Sequence, residues 1–111
     1  MVDERLKAAL TRAGVPVARL KYTGRADTFI TFRLLDGGEE NHSDDDSHAE
    51  ALTYRMDVFS KSDYTELVKT VKQAIKAAGF YGIVTGPEMY ESDTEFYHMP
   101  IEANYMREDV E

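Results

Sequence analysis

The chain has 111 residues, a net charge of −8, 42% apolar residues and no cysteine. This length fits one domain with its own core, and the absence of cysteine excludes disulfides, thiolate zinc sites and a cysteine nucleophile. There is no apolar run of the roughly 18 residues that a membrane-spanning helix needs, and the charged first six residues are unlike a signal peptide. We therefore expect an intracellular domain without a membrane segment.

The charge is distributed unevenly along the chain. Residues 1–33 carry +4, so the remaining 78 residues carry −12. Segment 36–50 has seven acidic and no basic residues, and segment 88–111 has eight acidic residues and only Arg107. Because an acidic surface repels phosphate, this pattern disfavours tight nucleic-acid binding and favours contacts with different protein surfaces at the two ends.

In chain order, the first predicted element is a helix over about residues 3–13, where apolar residues recur at helical spacing. Gly14 ends it. Apolar and polar residues alternate in segments 17–22 and 28–35, which predicts two strands joined by a hairpin turn at residues 24–27.

Segment 51–60 predicts a third strand whose alternate apolar side chains face the core. These are Leu52, Tyr54, Met56 and Val58. The acidic segment 36–48 before it has no apolar anchor and its charges repel one another, so it predicts a mobile loop. A loop of this length between neighbouring strands usually has a use.

The second helix is predicted over about residues 63–78. Asp63 and Glu66 have the spacing of a capping box, and Gly79 suits the left-handed position after the last turn. The apolar stripe that should face the core consists of Leu67, Val68, Val71, Ala74, Ile75 and Ala78. The opposite face, which should be solvated, carries Lys69, Lys72, Gln73 and Lys76.

Two further strands complete the prediction. Residues 80–85 indicate a short strand, and residues 89–94 are polar and indicate a loop. The last strand is predicted over 95–105, where Pro100 favours an edge strand or a bulge. A frayed acidic tail is expected from residue 106.

The predicted fold is therefore α+β, in the order α-β-β-β-α-β-β. About five strands form an antiparallel sheet, and two helices pack against it. The sequence has no repeat and no linker, so residues 1–111 are predicted to form a single domain.

The predicted loop contains acidic and histidine residues, which are candidate metal ligands. Asp44, Asp45 and Asp46 lie between His42 and His48. The oxygen ligands suit a hard cation, but the glycine and bidentate glutamate of a calcium loop are not at the required offsets. The two histidines match no zinc spacing. We interpret the segment as a solvated acidic loop and predict no metal site and no cofactor.

His98 is a candidate general base in the last predicted strand. No nucleophile with a recognisable spacing accompanies it, so a structural histidine or one at a subunit contact is favoured. The lone glycine pair Gly37-Gly38 lacks the strand–loop–helix context of a phosphate site. Seven tyrosines suit core edges and protein interfaces. We predict no catalytic residue and no enzymatic activity.

Two blocks of sequence carry a more specific pattern. The first is Tyr54-Arg-Met-Asp-Val-Phe-Ser-Lys-Ser-Asp-Tyr-Thr-Glu-Leu67, whose helix closes in Ala-Ala-Gly-Phe80. The second is Met89-Tyr-Glu-Ser-Asp-Thr-Glu-Phe-Tyr-His98. Together they resemble the tail-completion (tail-terminator, head–tail joining) proteins of long-tailed bacteriophages and prophages, over about residues 50–105.

The resemblance implies antiparallel strands with packed helices. It also implies a ring, expected to be a hexamer, at the head-proximal end of the tail tube. Such a ring ends tube polymerisation and presents the tail to the stopper, or head-completion, protein, while DNA only passes through the lumen. Free subunits are expected to be monomeric. The protein would occupy the host cytoplasm during assembly and then the head–tail interface of the virion.

Two sets of residues are candidate contact sites under this interpretation. The acidic loop would face a partner or the lumen, where a negative wall keeps DNA from sticking. Its candidates are Glu39, Glu40, Asp44, Asp45 and Asp46. The candidate interface residues are Tyr90, Tyr97 and His98.

Three alternatives stay open at this stage. The chain could be another neck or minor tail structural protein, such as a head-completion protein or a tube subunit. It could be a small prophage-encoded module that binds a host protein. The least favoured is a metal-dependent hydrolase that uses the Asp/His segment and His98.

Overall fold

Two helices and six strands make up the fold of the computed structural model. The structure describes the backbone of residues 2–41 and 48–109, and the side chains of 2–37 and 50–107. The elements are α1 (Val2–Thr11), β1 (Val17–Arg19), β2 (Thr28–Asn41), β3 (His48–Ser60), α2 (Thr65–Ala77), β4 (Tyr81–Thr85), β5 (Met89–Glu91) and β6 (Phe96–Asp109).

The strands form one sheet in the order β1-β2-β3-β6-β4, and β5 also pairs with β6. All described pairings are antiparallel except that of β1 with β2, which is parallel. The prediction of an α+β fold with two helices is confirmed. The sheet is mixed rather than antiparallel, and it gains a sixth strand, β5, from the segment predicted as a polar loop.

Both helices pack on one face of the sheet and share one hydrophobic core with it. Successive side chains of a strand point to opposite faces of the sheet, and every second one in β3 lies in this core, as predicted. These are Leu52, Tyr54, Met56 and Val58. Helix α1 contributes buried Leu6 and Leu10. Helix α2 buries Val71 and Ile75 completely, while the rest of its predicted stripe is partly buried against the same cluster.

Polar contacts fix α1 against the sheet. Asp3 accepts a hydrogen bond from the Tyr54 hydroxyl and forms an ion pair with Arg19 at 3.2 Å. Arg5 lies over the ring of Tyr105, 5.4 Å from the centroid. Burial, together with the bond to Asp3, raises the pKa of Tyr54, so this hydroxyl stays protonated and continues to donate.

The connection between β1 and β2 is not a hairpin turn. Leu20 has a φ of 68° and ends β1, after which the chain runs back beside the sheet so that β2 starts at the same end as β1. Tyr22 holds this return by stacking on Phe29, and its hydroxyl accepts a hydrogen bond from the Ala26 N–H at 3.1 Å. The prediction of a hairpin at residues 24–27 was therefore wrong.

Three predicted boundaries also differ. Residues 36–41 continue β2, with Gly37 opposite Leu52 and Asn41 opposite His48, so the paired strands extend into the segment 36–48 that was predicted as a loop. Residues 42–47 lie outside the described residues. Residues 106–109 belong to β6 rather than to a frayed tail.

Pro100 lies within an inner strand, which contradicts the predicted edge position. It pairs with Asp57 of β3. Its carbonyl accepts a hydrogen bond from the Gly86 N–H at 2.9 Å. The nitrogen and the carbonyl of one strand residue point to the same side, so the Pro100 nitrogen also faces Gly86, away from β3. The missing N–H therefore costs no bond in the ladder with β3.

Candidate functional site

The sheet face opposite the helices carries a cross-strand row of rings. Phe29 of β2 lies opposite Phe59 of β3, which lies opposite His98 of β6. Paired residues point to the same face of a sheet. The three side chains thus lie side by side across the middle of the sheet, half-buried.

These rings stack on one another continuously. Tyr22 stacks on Phe29 with centroids 4.3 Å apart, Phe29 on Phe59 at 4.8 Å, and Phe59 on His98 at 4.3 Å, all with planes within 24°. We call these four residues the ring ladder. Phe96 contacts both phenylalanines edge-on. Such pairs stabilise the face beyond the area they bury.

A hydrogen bond to a carboxylate holds the last ring of the ladder. His98 Nε2 is 2.7 Å from Asp57 Oδ1, and Arg55 Nε donates to the same oxygen at 2.9 Å. Glu91 Oε2 lies 3.9 Å from Nδ1 of the histidine. The side chains of His98 and Asp57 are only 13% and 12% exposed.

The Asp57–His98 pair orients an imidazole as an acid–base site would. Within the described side chains, however, no hydroxyl contributes a hydrogen bond to His98, and the ring is stacked on Phe59. The geometry thus supports a structural role. The sequence offered no signal for the pair because its members are 41 residues apart.

A second aromatic surface lies on the helix side, at the edge formed by β5. Tyr97 of β6 contacts Tyr90 of β5 at 4.9 Å between centroids and Tyr64 at the start of α2 at 6.1 Å. The Tyr64 hydroxyl donates to the carboxylate of Glu88. Burial, then this bond, raises the pKa of Tyr64. We call Tyr64, Tyr90 and Tyr97 the tyrosine edge; Tyr90 is 54% exposed.

The structure divides the predicted contact residues among three places. Tyr90 and Tyr97 contact each other, but His98 points to the opposite face, where it is the last ring of the ring ladder. Glu39 and Glu40 lie in β2. Asp44, Asp45 and Asp46 lie outside the described residues.

The lysine face of α2 borders a groove that the sequence did not reveal. Its wall is the row Lys69, Lys72 and Lys76, and its floor comes from β4 and the residues around it. The remaining lining residues include Val68, Gln73, Phe80, Tyr81 and Ile83. We call this the lysine groove. The helical spacing predicted the lysine row, but the neighbouring strand that completes the groove is a tertiary feature.

The molecule is elongated, because β2, β3 and β6 extend past the helices. Its principal extents are 53 × 24 × 23 Å and its radius of gyration is 15.4 Å, against about 13 Å for a compact chain of this length. The outer part of the β2–β3 pair, residues 36–41 with 48–50, is called the acidic arm. Its sequence has Asp36, Glu39, Glu40 and Glu50 and no basic residue.

Two further properties bear on function. In the described part of the chain, no three His, Asp or Glu side chains are grouped as metal ligands. Neither helix is long and apolar enough to cross a membrane.

No protein family and no curated protein matches the sequence. A chain in the virion of a native gene transfer agent (GTA) particle has a similar structure, with a TM-score of 0.56 and 14% identity. The match covers 97% of this chain and 92% of that one. The protein therefore has the fold of that virion chain, over nearly the whole length of both.

A weaker likeness exists to the type 4 fimbrial biogenesis protein PilO from Pseudomonas aeruginosa. Its TM-score is 0.43 and its identity 10%, over 96% of this chain and 65% of that one. A likeness of this size supports no functional argument.

Proposed function

We propose that this protein is a structural component of a phage-like virion that ends the tail tube and joins the tail to the head. The observation that carries the proposal is the end-to-end match of its fold to a chain of a GTA virion, which covers 97% of one chain and 92% of the other. The resemblance of its sequence blocks to tail-completion proteins directs the proposal to the tail end.

The two sequence blocks of that resemblance meet in the fold, which supports reading them as one motif. Asp57 and Phe59 of the first block contact His98 of the second. Tyr64 of the first contacts Tyr97 of the second on the other face. The blocks thus fix the β3–β6 pairing and the start of α2 from both sides of the sheet. Their residues act as scaffold and need no substrate.

The surfaces suit assembly by protein contacts rather than catalysis. The tyrosine edge and the acidic arm offer two chemically different surfaces on an elongated molecule. In this proposal the subunits are monomeric when free and form a ring, expected to be a hexamer, on a tail end. One side of the ring meets the tail-tube protein and the other the head-completion protein, and DNA passes through the lumen. The ring assembles in the host cytoplasm and remains in the virion.

Negative-stain electron microscopy of purified protein mixed with tails that lack their terminator tests this proposal. We expect a ring at one end of each tube, and tails that become competent to join heads. Preassembled tails that already carry their terminator are the matched control and should gain no density. Tubes that stay uncapped at high protein concentration would refute the proposal, and a pull-down of host proteins would then test the binding-module alternative.

The tyrosine edge provides a finer test of the same proposal. Tyr90→Ser removes an exposed ring that makes one described ring contact, so folding should persist while capping weakens. Leu20→Ser, at an exposed apolar residue outside both this edge and the lysine groove, is the control. Equal capping by both variants would exclude the tyrosine edge as the tube contact.

A further inference from the structure

The lysine groove carries positive charge that the described side chains leave unneutralised. Lys69, Lys72 and Lys76 are all exposed, and within the described part of the chain no carboxylate lies at ion-pair distance from them. Their charge is opposite in sign to the net charge of −8 of the whole chain. They favour an acidic partner.

The floor of the groove is apolar and adjoins a free strand edge. Its lining includes the buried Phe80 and the partly buried Val68 and Ile83. Strand β4 is the last of the sheet order, so its outer backbone has no described strand partner. Unpaired edges of this kind accept another extended segment. The site thus fits an extended chain with acidic side chains.

The opposite lateral edge of the sheet presents such a segment. Strand β1 pairs only with residues 30–32 of β2, so residues 36–41 have no described partner on their outer side. They belong to the acidic arm, which projects beyond the buried Leu52 opposite Gly37. A strand pair that extends past its own core gains stability when something packs against it.

We propose that the acidic arm of one copy docks in the lysine groove of the next copy. The two surfaces lie on opposite edges of the sheet, so the contact is head-to-tail and a pair of copies keeps one free groove on the first copy and one free arm on the second. Repetition of such a contact gives a closed ring when the rotation between copies closes. The inference rests on the proposed function, because it supplies the subunit contact of the proposed ring.

Charge reversal in separate copies tests the contact directly. The groove variant Lys69→Glu/Lys72→Glu/Lys76→Glu has an acidic arm and an acidic groove. The arm variant Asp36→Lys/Glu39→Lys/Glu40→Lys has a basic arm and a basic groove. Each should fail to associate with itself, while an equimolar mixture should associate in alternation, because every arm then meets a groove of opposite charge.

Sedimentation velocity at low salt, up to about 1 mM protein, detects even contacts in the millimolar range. Because the proposed subunits are monomeric when free at ordinary concentrations, we expect wild-type chains to associate only toward the top of this range. Either variant alone should bind itself about thirty-fold more weakly, since three exposed ion pairs become repulsions. Salt should weaken the wild-type contact by screening. The control variant, Lys7→Glu/Lys21→Glu/Arg25→Glu, reverses three exposed cations elsewhere and should associate like the wild type.

Three results would overturn the contact. The first is a wild-type chain that stays monomeric at about 1 mM. The second is an equimolar mixture of the two variants that associates no more than either variant alone. The third is a control variant that loses association as the groove variant does. Rescue in the mixture also shows that both variants are folded.

Failure of this inference can be told apart from failure of the proposed function. If the groove and arm variants each cap tails alone, the arm–groove contact is wrong and the tail proposal stands. If the mixture restores association but the wild-type chain never binds tails, the contact stands and the tail proposal fails.

Discussion

Replacing Phe59 with alanine removes the middle of the ring ladder. Phe59 stacks on Phe29 at 4.8 Å and on His98 at 4.3 Å, and it also receives the edge of Phe96. Each aromatic pair contributes about 0.5–1.5 kcal/mol beyond area burial, and truncation of a fully buried phenylalanine costs about 3–5 kcal/mol. Because Phe59 is only half-buried, we expect a loss of about 2–4 kcal/mol.

Urea unfolding followed by circular dichroism measures this loss. The slope of the transition should stay unchanged while its midpoint falls, since only stability changes. Phe96→Ala is the matched control: it removes a ring from the same face whose ring–ring contacts are both edge-on and whose centroid lies 5.0 Å from Lys61 Nζ, so it should cost about 1–2 kcal/mol. If Phe59→Ala costs no more than Phe96→Ala, face-to-face stacking does not hold this side of the sheet.

The remaining predictions concern a hydroxyl, a glycine and a carboxylate. The raised pKa of Tyr64 means that the unfolded chain releases this proton first, so the stability it contributes is full below the ordinary value of 10.0 and is lost above it. Tyr64→Phe should therefore flatten the fall in the urea midpoint as the pH rises above about 10. An unchanged fall would contradict this. Gly79→Ala should lower stability by about 1–2 kcal/mol by thermal unfolding, because φ is +102° and the new methyl group would lie 3.3 Å from a ring. Gly14→Ala, with nothing within 4 Å, should cost less. Asp57→Ala should lower the free energy of unfolding by about 2–3 kcal/mol in urea, since it leaves His98 without its hydrogen-bond acceptor. Asp57→Asn keeps an acceptor oxygen and should cost clearly less. Equal losses in the two variants would refute the role of that hydrogen bond.

Local periodicity predicted the parts of the fold that depend on local burial. The alternation of residues 52–58 located the core face of β3, since a strand repeats every two residues. Helix α2 followed from its apolar stripe, and Gly79 has the expected positive φ. Asp63 accepts from the Thr65 N–H at 3.0 Å, which lowers the pKa of this aspartate. It thus satisfies the first N–H of the helix from the position before the N-cap residue Tyr64, and the predicted capping box is not formed.

Features that depend on pairing between distant strands could not be predicted from the sequence. Gly37 and Gly38 are poor strand formers, yet they continue β2 because backbone bonds from β3 hold them regardless of side chain. The Asp57–His98 pair arises from a register that no local pattern encodes. His98 therefore could not be separated from Tyr97, its sequence neighbour, although the two face opposite sides of the sheet.

The position of β6 has a consequence for synthesis. This strand is the last that the structure describes, yet it pairs with β3, β4 and β5 and places Ile101 and Ala103 in the core. A nascent chain on the ribosome can form the β2–β3 hairpin and both helices, but β4 and β5 have no described partner until residues 96–109 have been made. Completion of the sheet therefore waits until residues 96–109 have left the ribosome, and until then apolar strand surface is open to chaperones.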